Sequence, residues 1–171
     1  MITTNTERLR RRTLLQVGIS VALGGLPLLA RSAGAKPVIE VWKTSTCGCC
    51  KDWIRHLQSQ GFEVQAHDIS DAAKREQRTR LGLADKFGAC HTALVGGYVV
   101  EGHVPARENH RLLKERPRAL GIVVPGMPVG SPGMDGPEYG GLKDPYAVLL
   151  VQRDGKSSIY QSYTRTRDTP I

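Results

Sequence analysis

The chain has 171 residues, of which 40% are hydrophobic and 23% charged, with a formal net charge of +8 and only four cysteines. That length suits one domain with a real core and does not need disulfides to hold it together. The basicity suggests a nucleic-acid partner, but Arg8, Arg10, Arg11, Arg12 and Arg31 all fall in the first 35 positions. The remaining basic residues are mixed with acidic ones and have no interleaved aromatic platform, so no nucleic acid is expected.

Those first positions read as an export signal. A basic start is followed by an apolar stretch from about Leu14 to Leu29 and then by small residues at Ala33-Gly34-Ala35, the layout of a cleaved leader. The run Arg11-Arg12-Thr13-Leu14-Leu15-Gln16 resembles a twin-arginine signal, and Arg31 before the cleavage region fits that route. A membrane anchor fits less well, because spanning takes about 20 mostly apolar residues and this stretch carries Gln16, glycines and a proline. The expectation is a signal at 1–35, cleaved near Ala35, and a soluble periplasmic domain at 36–171 with no membrane partner after cleavage. Without the leader the net charge falls to +4.

From Pro37 to Lys43 the sequence PVIEVWK alternates as a short strand. Ser45-Thr46 offer helix caps, and from Cys47 the pattern turns helical, with Cys50, Trp53, Ile54 and Leu57 at i, i+3, i+4 and i+7 and Gly61 as a stop. Phe62–Ile69 alternates as a half-buried strand. A charged helix is predicted from about Ala72 to Leu83, capped by Ser70 or Asp71, with Glu76 placed to meet Arg80. Its basic run Lys74–Arg80, like Arg107–Arg118, reads as a solvated face. Thr92–Val95 and Tyr98–Glu101 form a hairpin across Gly96-Gly97, and Arg107–Glu115 is helical. Residues 121–141, rich in glycine and proline, read as loop. A terminal hairpin at 146–163 turns at Asp154-Gly155.

The order strand-helix-strand-helix-hairpin-helix, with cysteines at the first strand-to-helix junction, is an α/β arrangement that resembles thioredoxin-like proteins. Two stretches carry the likeness: Cys47-Gly48-Cys49-Cys50 contains a C-x-x-C pair, and TALVGGYVVEG is similar to the glutaredoxin hairpin. Those families place a cis-proline before the third strand, where this chain has Cys90-His91-Thr92. A thiol in place of an imino ring argues against ordinary dithiol exchange.

Three thiols within four positions make poor cross-links, since the loops they would close are almost nothing. A helix start favours thiolate, which raises both nucleophilicity and affinity for metals. Thiolates select Cu(I), zinc or iron–sulfur clusters. Structural zinc takes C-x₂₋₄-C pairs from two knuckles, and C-x-C-C matches no usual ferredoxin spacing. The crowded group Cys47, Cys49, Cys50, completed by Cys90, therefore suits a Cu(I)–thiolate site, multinuclear where one sulfur bridges two ions, better than zinc. Met127 and Met134 are soft donors in the Gly/Pro loop, and His91 and His103 are candidate accessory ligands. His56, His67 and His110 sit at polar positions and read as surface. Two alternatives stay open: a thiol–disulfide oxidoreductase with Cys47 and Cys50 as its catalytic pair, and a zinc-stabilised module that chelation would unfold.

The stretches CGCCKDWIRHL, CHTALVGGYVVEGHVPA and GIVVPGMPVGSPGM together resemble a family of exported bacterial proteins whose better-known members are the CopG-type periplasmic copper-resistance proteins. The likeness covers nearly all of residues 37–135. It implies a thioredoxin-like fold and copper binding by Cys47, Cys49, Cys50 and Cys90. It also implies a role in copper resistance alongside other periplasmic copper-handling proteins, and a capacity to interconvert Cu(I) and Cu(II).

Overall fold

The computed structural model describes residues 35–164; the expected export signal lies outside them apart from its last position. In chain order the elements are β1 (Val38–Lys43), α1 (Gly48–Ser59), β2 (Glu63–Asp68), α2 (Asp71–Arg80), β3 (Thr92–Val95), β4 (Tyr98–Glu101), α3 (Ala106–Glu115), β5 (Gly121–Val123), β6 (Tyr146–Val151) and β7 (Ser157–Tyr163). Short 3₁₀ turns occupy Asp85–Phe87 and Pro137–Tyr139. The strands form one seven-stranded mixed sheet in the order β2-β1-β3-β4-β5-β6-β7. The pairs β1/β2 and β4/β5 are parallel and the other four pairs are antiparallel.

The pleat of β4 divides the core. Val100 joins Ile39, Val41, Trp53, Leu57 and Leu112 on the face covered by α1 and α3. Its neighbour Val99 points the other way, to Leu83, Phe87, Leu120, Val123 and Val151. Successive residues of a strand face opposite sides, so both faces of the central sheet are buried. Full burial of each large apolar side chain contributes about 1.5–3 kcal/mol. Among the described residues no helix is long and apolar enough to cross a membrane.

Several sequence expectations shift by small amounts with clear causes. The cap of α1 is Cys47 itself, whose sulfur accepts the Cys50 N–H at 3.3 Å, not Ser45 or Thr46; the Cys47 N–H closes a turn onto Thr44 O. Ser70 caps α2 by accepting from Ala73 N, and Arg80 meets Glu76. The second strand is an edge and is mostly exposed rather than half-buried. The stretch 121–141 is not all loop, since it opens with β5. Three residues are too few to show a period of two, and Gly121 is required there because a Cβ would strike the Val99 carbonyl.

The basic run on α2 is not a solvated face throughout. Lys74 and Arg78, four apart on one side of the helix, are 7% and 5% exposed and turn inward. His56 is half-buried and accepts the Ala106 N–H at 3.1 Å, while His67 and His110 stay exposed, His67 stacked on Trp42 and His110 tilted against Phe62.

Candidate metal centre

The first turn of α1 and the start of β3 meet where the cysteines lie. Cys47 caps the helix and forms a disulfide with Cys50, while Cys49 and Cys90 are free thiols. Cys49 Sγ stands 3.5 Å from Cys47 Sγ, and Cys50 Sγ lies 3.8 Å from the Cys90 carbonyl oxygen. All four sulfurs fall within 4.8 Å of one another. The first turn of α1 carries no acidic residue that would oppose negative charge on sulfur at the helix start.

A second group of donors shares Cys90. Its sulfur is 2.9 Å from His103 Nε2 and 3.2 Å from His91 Nδ1, and these three donor atoms also lie within 4.8 Å of one another. His103 Nδ1 donates to Pro132 O at 2.8 Å, which fixes the tautomer and leaves the Nε2 lone pair facing the sulfur. Burial holds both imidazoles below their ordinary value; for His91 the neighbouring His103 adds to it, and for His103 the Pro132 carbonyl and Asp135 oppose it. Neutral imidazole is the ligating form.

His91 is fully buried against the Trp53 ring at 4.1 Å, and its Nε2 has no hydrogen-bond partner. An unsatisfied buried nitrogen costs roughly 1–3 kcal/mol, a cost that a purely structural histidine would normally avoid.

Burial, and then the charge and hydrogen bond of Cys49, push the Cys90 thiol up, while the Lys74 ammonium opposes them. Removing protons from closely packed thiols needs a compensating cation, which a bound metal supplies.

The Gly/Pro loop closes over this corner. Gly133, at φ +84°, lies so close to α1 that a Cβ would sit 2.6 Å from Cys49 O and 2.7 Å from Trp53 N. Its neighbour Met134 is 8% exposed and accepts a hydrogen bond from Tyr139 Oη at 3.4 Å. Burial raises the Tyr139 phenol, with added repulsion from Glu138 and Cys49, which puts Tyr139 within electrostatic reach of the cluster.

The structure therefore gathers Cys47, Cys49, Cys50, Cys90, His91 and His103 into adjoining groups and brings the segment of Met134 onto α1. Met127, by contrast, stands 52% exposed. Sequence reasoning missed Tyr139, which lies within the loop 121–141 but carries no motif, and the inward turn of Lys74. The spacing of Lys74 from Arg78 was a usable signal.

Residues 87–134 match the family model described as "Protein of unknown function, DUF411". No curated protein matches the chain. Two solved structures described as copper resistance protein CopG resemble it. Form 1 shows 42% identity and a TM-score of 0.69, with 76% of this chain and 99% of that chain covered. Form 2 shows 43% identity and the same TM-score of 0.69, with 75% of this chain and 98% of that chain covered. At that identity, over almost the whole of the compared chains, the protein belongs to the CopG family of copper resistance proteins.

Proposed function

We propose that the protein binds Cu(I) in the periplasm through Cys47, Cys49, Cys50 and Cys90 on a thioredoxin-like scaffold, and serves copper resistance by sequestering the ion and interconverting Cu(I) and Cu(II). The observation that carries this reading is four sulfurs within 4.8 Å of one another; once the Cys47–Cys50 bond is reduced they offer a thiolate donor set that selects soft monovalent copper. The name of the solved relatives supports copper, and the element order supports the scaffold. The periplasmic placement rests on residues 1–35.

His91 and His103 add borderline nitrogen donors beside the thiolates, so both oxidation states of copper find suitable ligands. Met134 is the loop's buried thioether and follows Gly133, which packs on α1. Reduction of two Cu(II) by the Cys47/Cys50 dithiol balances as two Cu(I), one disulfide and two released protons. Return to the dithiol needs an external thiol reductant.

An anaerobic titration of the reduced chain with Cu(I) against a chromophoric chelator tests this reading. Tight uptake of more than one copper per chain is expected, and Cys49→Ser should lose affinity by at least about tenfold, the scale of a lost or loosened ligand. Failure to compete for a single copper would overturn the copper reading.

One observation favours a second reading: Cys47 and Cys50 are joined. A thiol–disulfide oxidoreductase would turn over a disulfide substrate without metal, lose that activity in Cys47→Ser and keep it in Cys49→Ser.

A further inference from the structure

The segment that carries Cys90 is held from behind by charged side chains of α2 and β4. Lys74 Nζ donates to Cys90 O at 2.9 Å and pairs with Asp71 at 3.0 Å. One turn on, Arg78 pairs with Glu101 through Nε and Nη2, and its Nη2 also reaches Ala89 O at 3.3 Å. Glu101 is fully buried, and one of its oxygens accepts the Ala89 N–H at 2.7 Å while the other accepts the Thr92 hydroxyl at 2.6 Å. Arg78 approaches so closely that a Cβ on Gly88 would lie 2.5 Å from its Nη1. Every backbone contact of this set falls on Ala89 or Cys90, just ahead of β3.

Energetics argue that this set does more than stabilise. A buried ion pair loses about as much in desolvation as it gains in attraction, and well-packed apolar residues serve stability as well or better. What such a network does supply is a fixed position for the atoms it bonds.

We propose that Lys74, backed by the Arg78–Glu101 pair, is a positioning residue for the metal site: it holds the Cys90 backbone at the distance from α1 that lets the Cys90 sulfur join the other three. This inference rests on the copper reading for its purpose but not for its geometry. Lys74 reaches the site through the backbone of a ligand and touches no metal.

Lys74→Met keeps the stem and removes the donor, while Lys74→Arg keeps a cationic donor. In the reduced protein, Cu(I) affinity should fall about tenfold or more in Lys74→Met, the usual effect of loosening a ligand's support, and return to within about threefold of the wild type in Lys74→Arg. A metal-free arm uses the Cys49→Ser background with the Cys47–Cys50 bond closed, so that Cys90 is the one free thiol. There, the alkylation rate with neutral iodoacetamide, divided by the thiolate fraction read from ultraviolet absorbance, should quicken severalfold with Lys74→Met; the correction is needed because that variant also loses the ammonium that favours the thiolate. A drop in thermal midpoint with affinity and alkylation both unchanged would mean a structural role and overturn the proposal.

Should Lys74→Met fail to fold, Thr92→Val removes one hydroxyl donor from Glu101 and is measured instead, with the same two outcomes deciding. If the wild type takes up no copper, the copper reading fails while the alkylation arm still decides the clamp.

Discussion

At Gly133 the backbone does what no other residue type would permit. Its φ of +84° lies in the left-handed region, and a Cβ would sit 2.6 Å from Cys49 O, so Gly133→Ala combines strain with a clash against a rigid helix start. The expected cost is about 2–3 kcal/mol, read as a lower unfolding midpoint. Copper affinity should fall as well, because the displaced loop carries Met134 off α1. A Gly133→Ala protein with wild-type affinity would show that the loop plays no part at the site. Residues of this kind were only partly legible in the sequence. The cysteines announced themselves because four positions hold three of them, His91 was visible beside Cys90, and His103 followed the predicted hairpin. The clamp residue Lys74 was not, because a charged helix with a single inward face looks like any solvated one until its spacing from Arg78 is weighed. Tyr139 has no motif and reaches Met134 only through the fold of the loop.

Among the elements, α3 shows how one helix is fastened by another. Its N-cap, Pro105, makes no side-chain cap bond, and the first N–H, on Ala106, is instead accepted by His56 of α1 at 3.1 Å. Burial lowers the His56 imidazole below its ordinary value of 6.5, with Asp135 opposing. The folded state therefore favours the neutral ring. The stability it contributes is present above the unfolded value and is lost as pH falls through the folded one. His56→Ala should cost about 1 kcal/mol at pH 7.5, and the gap to the wild type should narrow as the pH drops below about 6. A gap that stays constant would remove His56 from the acid response. Element existence was legible throughout, save for β5. Its three residues acquire strand geometry from their neighbours, pairing with Val99–Glu101 on one side and Leu149–Val151 on the other, which is tertiary pairing that a local pattern cannot display.

For the whole molecule, the question is what the fold owes to the sulfur chemistry. The Cys47–Cys50 bond closes a very short loop, for which chain entropy gives only about 2 kcal/mol. Two packed sheet faces supply the rest. Reduction and chelation together should thus leave the domain folded, with the midpoint lowered by about 5–10 °C, as circular dichroism would report. Unfolding on chelation would instead support the zinc-stabilised module. The α/β class was readable because strand and helix periods alternate cleanly up to Glu115. The way the terminal hairpin joins the sheet was not, since that junction is made by β5.

The Gly/Pro loop leaves the sheet from β5 and returns through β6, and those strands are hydrogen-bonded neighbours, with Val123 opposite Leu149. Its two ends are therefore already together, and lengthening it carries a closure cost that grows only with the logarithm of its length. Substitutions or insertions in that segment can therefore change what it lays over the helix start without shifting the register of a single strand.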